Sequence, residues 1–207
     1  MNPAGAARYL VPAGRHRVED VVRRSRFVTT ATRASTPAAA HAFVDGVRRE
    51  LPDATHHCWA FVAGPPGSTA HVGMSDDGEP HGTAGRPMLA ALLHADVGEI
   101  AVVCSRWFGG VKLGTGGLAR AYVQGVTHVL GSLPTTELVE RVVLSVTVAY
   151  PDVDGLRSLG ERYGALVQEE SYGASARYRL AVPADEAARF RRELADVTKG
   201  RARVEDG

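Results

Sequence analysis

The feature that most constrains how this chain can fold is a break. Residues 131–138 read GSLPTTEL, placing Gly, Pro and two Thr between two apolar, periodic stretches. Gly takes backbone angles that other residues avoid, and Pro lacks an amide donor, so together they punctuate regular structure. The 207 residues therefore separate into a segment 1–133 and a segment 138–207, each of a size that one domain can have. Past the break the pattern is plain. Residues 139–150 alternate, with Val142, Leu144, Val146 and Val148 on one side, as in a half-buried strand. Residues 151–163 place Val153, Leu156 and Leu159 on one helical face. Residues 165–172 and 176–182 form two strands joined at Gly173. Residues 183–196 form a helix with Ala187, Phe190 and Leu194 inward, and 202–204 add a last strand. The order βαββαβ is the ferredoxin-like split arrangement.

Before the break the elements are mixed as well, so the fold class is α+β. Residues 16–22 and 26–31 are extended. Thr36 followed by Pro37 is a helix N-cap and first position, opening a helix to about residue 51 with Ala40, Phe43, Val44, Val47 and Leu51 in one stripe. Strands are expected at 58–62 and 70–74, flanking the turn GPPGS. A helix capped by Thr83 runs to about residue 95. A buried strand at 100–104 is followed by a Gly-rich loop and a helix over about 117–133.

Composition removes some functions. Hydrophobic residues are 44% and charged residues 23% of the chain, which excludes wholesale disorder. No apolar run is long enough to cross a bilayer. The opening MNPAGAARYLVPAGRHR has no apolar core of a secretory leader. Twenty-four basic residues against 23 acidic ones leave a formal charge of +1, so a polyanion would have to be held by a local patch and not by the field of the whole molecule. Two cysteines, Cys58 and Cys104, make no disulfide scaffold. They read as small buried apolar residues of a cytoplasmic protein. All eight His, both Trp and both Cys precede residue 129, so chemistry near neutral pH belongs to the first segment.

Three stretches there can carry chemistry. In residues 54–61 (ATHHCWAF), His56 and His57 stand side by side at a strand start. Neighbours on a strand point to opposite faces, so they cannot share one metal ion unless the backbone bends. In residues 75–87 (SDDGEPHGTAGRP), Asp76, Asp77, Glu79 and His81 lie in a rigid turn-rich loop. They can act as a base or hold a hard cation, or simply bind loop amides. The loop ends at Thr83 and Gly85, where a helix start would turn free N–H groups outward. In residues 105–122 (SRWFGGVKLGTGGLARAY), Gly109, Gly110, Gly114, Gly116 and Gly117 interleave with Arg106, Lys112 and Arg120. Lys112 is the only lysine before Lys199. Glycine lets amides approach a ligand, and the loop feeds a helix N-terminus, which suits phosphate. Trp107 and Phe108 can stack on a base or belong to the core. No P-loop, nucleophile elbow, CxxC or HExxH is present. GTGGLA imitates a dinucleotide fingerprint in letters only, because the preceding strand ends about ten residues earlier. No cofactor and no metal site is expected.

Arg24-Ser25-Arg26-Phe27, Ala54-Thr55-His56-His57-Cys58-Trp59-Ala60, Ser75-Asp76-Asp77-Gly78-Glu79-Pro80 with Gly82-Thr83-Ala84-Gly85, and Arg106-Trp107-Phe108-Gly109-Gly110-Val111-Lys112-Leu113-Gly114 together resemble the YigZ/IMPACT family. The resemblance runs over residues 18–130. It implies that the first segment has the fold of the second domain of a small-subunit ribosomal protein, shared with domain four of elongation factor G. It also implies that the second segment is similar to that factor's last domain. From this come two readings. One is a translation-associated regulatory protein that binds RNA, the ribosome or another polyanion through the Gly-rich basic loop, aided by an arginine-rich start (Arg8, Arg15, Arg17, Arg23, Arg24, Arg26, Arg33). The other is an enzyme on a phosphorylated small molecule or nucleotide, with Lys112 and Arg106 on phosphate, Asp76, Asp77 or Glu79 as base or Mg²⁺ ligand, and His56, His57 or His81 assisting. The second requires the two loops to meet in one cleft. Neither reading involves a membrane.

Overall fold

The computed structural model describes residues 8–207 and divides the chain into two compact units, one up to Leu138 and one from Val139 to Gly207. The leader expectation rests partly on residues 1–7, which lie outside the described residues.

The first unit is built on a five-stranded antiparallel sheet ordered β2-β3-β6-β4-β5: β2 is His16–Val22, β3 Ser25–Arg33, β4 His56–Val62, β5 Val72–Ser75 and β6 Ile100–Trp107. β6 runs through the middle, and its first seven residues are buried, the first five of them as an unbroken apolar run. Its side chains alternate. Ile100, Val102 and Cys104 join the larger core with helix α2 (Gly85–Leu93) and helix α3 (Thr115–Ser132). Ala101 and Val103 face Ala40, Val44 and Val47 of helix α1 (Pro37–Glu50) on the other side. The sheet is thus sandwiched between one helix and two. α1 begins as its sequence dictates: Pro37 is at its first position, and the Thr36 hydroxyl accepts the Ala39 amide at 3.1 Å.

The region of the break is less loose than its composition suggests. Thr135–Val139 forms strand β7, which pairs with a first strand β1 (Arg8–Pro12) in a separate two-stranded sheet. Sequence periodicity signals neither strand. Five residues beside Pro are too short a run to show a period, and their pairing partner lies more than a hundred positions away.

The second unit is the ferredoxin-like βαββαβ. Its antiparallel sheet is ordered β11-β8-β10-β9, from β8 (Arg141–Val148), β9 (Leu166–Tyr172), β10 (Ala176–Pro183) and β11 (Arg203–Asp206). Helices α4 (Val153–Arg162) and α5 (Ala187–Val197) supply Leu156, Leu159, Phe190 and Leu194 to one face, against Leu144, Val146, Tyr178 and Leu180. The other face carries no helix.

Candidate functional site

All three stretches converge on one end of the five-stranded sheet, where β3 and β4 begin and β5 and β6 end. The ladders place Arg106 opposite both Phe27 and His56, and Trp107 opposite Arg26.

The acidic loop leaves β5 and is held by its own carboxylates. Asp76 accepts the amides of Gly82 (2.7 Å), Ala84 (3.0 Å) and Gly85 (2.8 Å). Burial pushes its pKa up, but these three hydrogen bonds prevail and hold it below the usual carboxylate range. Asp76 is therefore the cap of α2. Thr83 is not: it is buried, and its hydroxyl donates to the Pro80 carbonyl at 2.6 Å. A Cβ at Gly85 would lie 2.8 Å from the backbone of Ser75, so this glycine serves close chain packing. The expectation of outward-facing amides at Thr83 and Gly85 is corrected: the Thr83 amide donates to the Pro80 carbonyl at 3.1 Å, and the Gly85 amide to the Asp76 carboxylate. Asp77, at φ 43°, accepts from Arg48 at 2.6 Å and from the His57 amide at 2.7 Å.

Glu79 is buried and accepts from Arg106 at 2.6 Å and from the Tyr122 hydroxyl at 2.8 Å. Burial pushes the Tyr122 phenol far above its ordinary range, so it remains a donor. Arg106 is only 5% exposed; it also donates to Ser25 at 3.3 Å and lies between the rings of Phe27 and Phe108. Arg106 is thus a structural cation under the loop and not the phosphate clamp that the sequence suggests. Tyr122 and Ser25 complete this buried cluster; Tyr122 is legible in the sequence only as a core position on a helix, and Ser25 only as part of the family string Arg24-Ser25-Arg26-Phe27.

The histidines do not cooperate. His57 is buried, and its Nδ1 meets the Ser105 hydroxyl at 2.9 Å. Burial lowers its pKa against the opposing pull of Asp77. His56 bonds the Asp77 carbonyl at 2.8 Å, and His81 is wholly exposed, 3.8 Å from Asp76. Among the described residues no group of three His, Cys, Asp or Glu is placed to hold a metal ion. Cys58 and Cys104 face each other across β4 and β6, free and buried. Burial raises both thiols, Cys104 to about 12.

The Gly-rich loop differs from the acidic loop. Gly109 belongs to the scaffold, since a Cβ there would sit 2.0 Å from the Arg24 backbone and its amide donates to Ser25. Beyond it the loop opens. Gly110 (φ 84°) and Gly114 (φ 73°) adopt left-handed angles with free space around them. Gly114 caps α3 with no side-chain acceptor, and the first turn has no acidic residue. Lys112, Gly116 and Arg120 are exposed, while Gly117 packs on Leu113. Beside Gly109, the turn between β2 and β3 presents Arg23 and Arg24, both left-handed and exposed. Among the described residues none of Arg23, Arg24, Lys112 and Arg120 has an ion-pair partner. Phe108, half exposed, lies under the Arg106 guanidinium. Trp107 is tied to Asp53 at 3.0 Å and covered by Arg26, which is itself paired with Glu19.

The order of these pieces is shared with other proteins. Residues 23–130 match the Impact N-terminal domain, and residues 146–201 match a domain of unknown function (DUF1949). The chain is similar to IMPACT family member YigZ of Escherichia coli, 42% identical over 93% of this chain and 94% of that one. It is also similar to IMPACT family member YvyE of Bacillus subtilis, 31% identical over 94% and 88%. A crystal structure titled as a hypothetical protein superposes with a TM-score of 0.69 at 40% identity, covering 97% of both chains. With both of its units matched in order and nearly its whole length aligned, the chain belongs to the IMPACT family.

Proposed function

We propose that the chain is a translation-associated binding protein that holds RNA, alone or in the ribosome, through the open part of its Gly-rich loop. One observation carries this reading. The N-terminus of α3, with no side-chain cap and no acidic residue in its first turn, stands with Lys112 and Arg120 as exposed cations that have no ion-pair partner among the described residues. Amides and a helix dipole contribute modestly toward a phosphate, about 0.3–1 kcal/mol. Charge-assisted bonds from Lys and Arg add more. Arg23, Arg24 and the exposed Phe108 extend the patch with cations and a stacking face. A cytoplasmic location fits two free, buried thiols, and no helix among the described residues is long and apolar enough to cross a membrane.

An enzymatic reading keeps one point in its favour: the acidic and Gly-rich stretches do meet, joined by Glu79 and Arg106. Against it, Asp76, Asp77 and Glu79 are each spent on amides or cations of the fold.

The test is binding of ribosomes and of a labelled RNA at ~50 mM salt, where phosphate contacts are least screened. Lys112→Ala and Arg120→Ala are each expected to weaken binding by about 1 kcal/mol or more, with a shallower salt dependence. Unchanged affinity in the double variant would reject the loop as the contact surface.

A further inference from the structure

No helix of the second unit covers the second face of its sheet. Its side chains form a grid set by strand register. One row crosses the sheet as Arg203, Thr147, Arg177 and Ser171; the next runs Glu205, Ser145, Arg179 and Glu169. Core residues Val146, Tyr178 and Val204 alternate with these and point to the helices, so every member of the grid is on the open side. The face is concave, with a cavity of about 800 Å³.

Arg177, Arg179 and Arg203 are exposed, and among the described residues none has an ion-pair or hydrogen-bond partner. The unit's other arginines at comparable sites are spoken for: Arg201 by Asp152, Arg157 by Glu170, Arg162 by Glu193 and Arg191 by Asp206. Arg177 and Arg179 are neighbours on this face of β10, and Arg203 lies two strands away on β11. Arg203 and Arg177 flank the Thr147 hydroxyl, roughly two strand spacings or ~10 Å apart, so both can close on one phosphate. Arg179 follows Arg177 by two residues, roughly 6.6 Å along the strand, a step suited to the next phosphate.

We infer that this face is a second nucleic-acid surface, which takes the backbone of an RNA duplex. Three features select that occupant. No aromatic ring lies on the grid, so splayed single-strand bases have nothing to stack on. Arginine beside hydroxyl groups suits phosphate oxygens. Glu205 and Glu169, which would repel phosphate, can accept hydrogen bonds from ribose 2′-hydroxyls, a group that DNA lacks. An acidic peptide would bring its own carboxylates against the same two glutamates.

The inference is independent of the loop reading, and residue-resolved amide shifts in the full-length chain separate the two. The probes are a 16-base-pair RNA duplex, the DNA duplex of the same sequence, a single-stranded RNA and poly-glutamate. We expect the RNA duplex to shift the amides of Thr147, Arg177 and Arg203. Arg177→Ser with Arg203→Ser should weaken its binding about tenfold and lower the salt slope by about 0.9 for each phosphate no longer neutralised. Lys112→Ala with Arg120→Ala should leave the sheet shifts in place. Shifts confined to residues 109–120 would overturn the sheet surface and keep the loop; shifts confined to the sheet would keep this surface and remove the loop. Equal binding of the DNA duplex, tighter binding of the single strand or effective competition by poly-glutamate would each overturn the assignment to duplex RNA.

Discussion

The Glu79–Arg106 pair shows how a residue type that suggests catalysis can be consumed by architecture. A carboxylate and a guanidinium, both nearly inaccessible, survive burial because each is bonded on more than one side: Glu79 by Arg106 and Tyr122, Arg106 by Ser25 and two aromatic faces. Removing one member leaves the other charged and desolvated. Arg106→Met is therefore expected to lower unfolding stability by about 3 kcal/mol or more, read from urea titrations. The double variant Arg106→Met, Glu79→Leu should recover most of that loss, since an apolar pair of similar volume avoids the desolvation of two ions. A double variant as unstable as the single one would mean that the pair itself, and not relief of burial, holds the loops together. The linear sequence leaves Asp76, Asp77 and Glu79 two roles, chemistry or the binding of loop amides, and it does not choose between them; the fold puts Asp76 and Asp77 on amides and Glu79 on Arg106 and Tyr122.

At the scale of elements the sequence is most legible where one local rule decides. Thr36 and Pro37 start α1 because the cap needs a side-chain oxygen and the first turn tolerates a missing amide; Thr36→Ala is expected to cost about 1 kcal/mol in a thermal or urea melt. The alternation of β8 and β10 and the apolar faces of α4 and α5 make the βαββαβ order readable without the structure. Legibility fails where the deciding partner is remote. A local rule assigns the start of α2 to the Thr83 hydroxyl, yet Asp76 caps it from eight residues away. β1 and β7 pair across most of the first unit. The glycines of the third stretch look alike as letters. In space they divide into Gly109, which lets two backbones touch, and Gly110, Gly114 and Gly116, which border open solvent.

At the scale of the whole molecule, stability and binding respond to pH through different groups. The candidate contact surfaces present arginine and lysine, which keep their charge across the neutral range, so binding should change little between pH 6 and 8 unless the fold changes. The fold has its own acid limit. Asp76 has a lowered pKa in the folded state, so it releases its proton more readily there than in the unfolded chain. Its contribution is fully present above the unfolded carboxyl value, about pH 4, and is lost as pH falls through the lower folded value. His57, lowered by burial, acts in the same direction at higher pH: the unfolded chain takes up its proton first, so stability begins to decline below about pH 6.5. Both groups belong to the first unit, and both serve the junction where the acidic loop meets the sheet. Acid should therefore loosen that end first. Protection of the Gly82, Ala84 and Gly85 amides, bonded to Asp76 and measured against their intrinsic exchange rates, is expected to fall as pH drops below about 4, before that of β8 and β10. Asp76→Asn should remove most of the change below about pH 4 and also lower stability at pH 7. If instead the second unit's strands exchanged first, the acid limit would lie with its exposed ion pairs, and the capping carboxylate would not be what holds the loop in place.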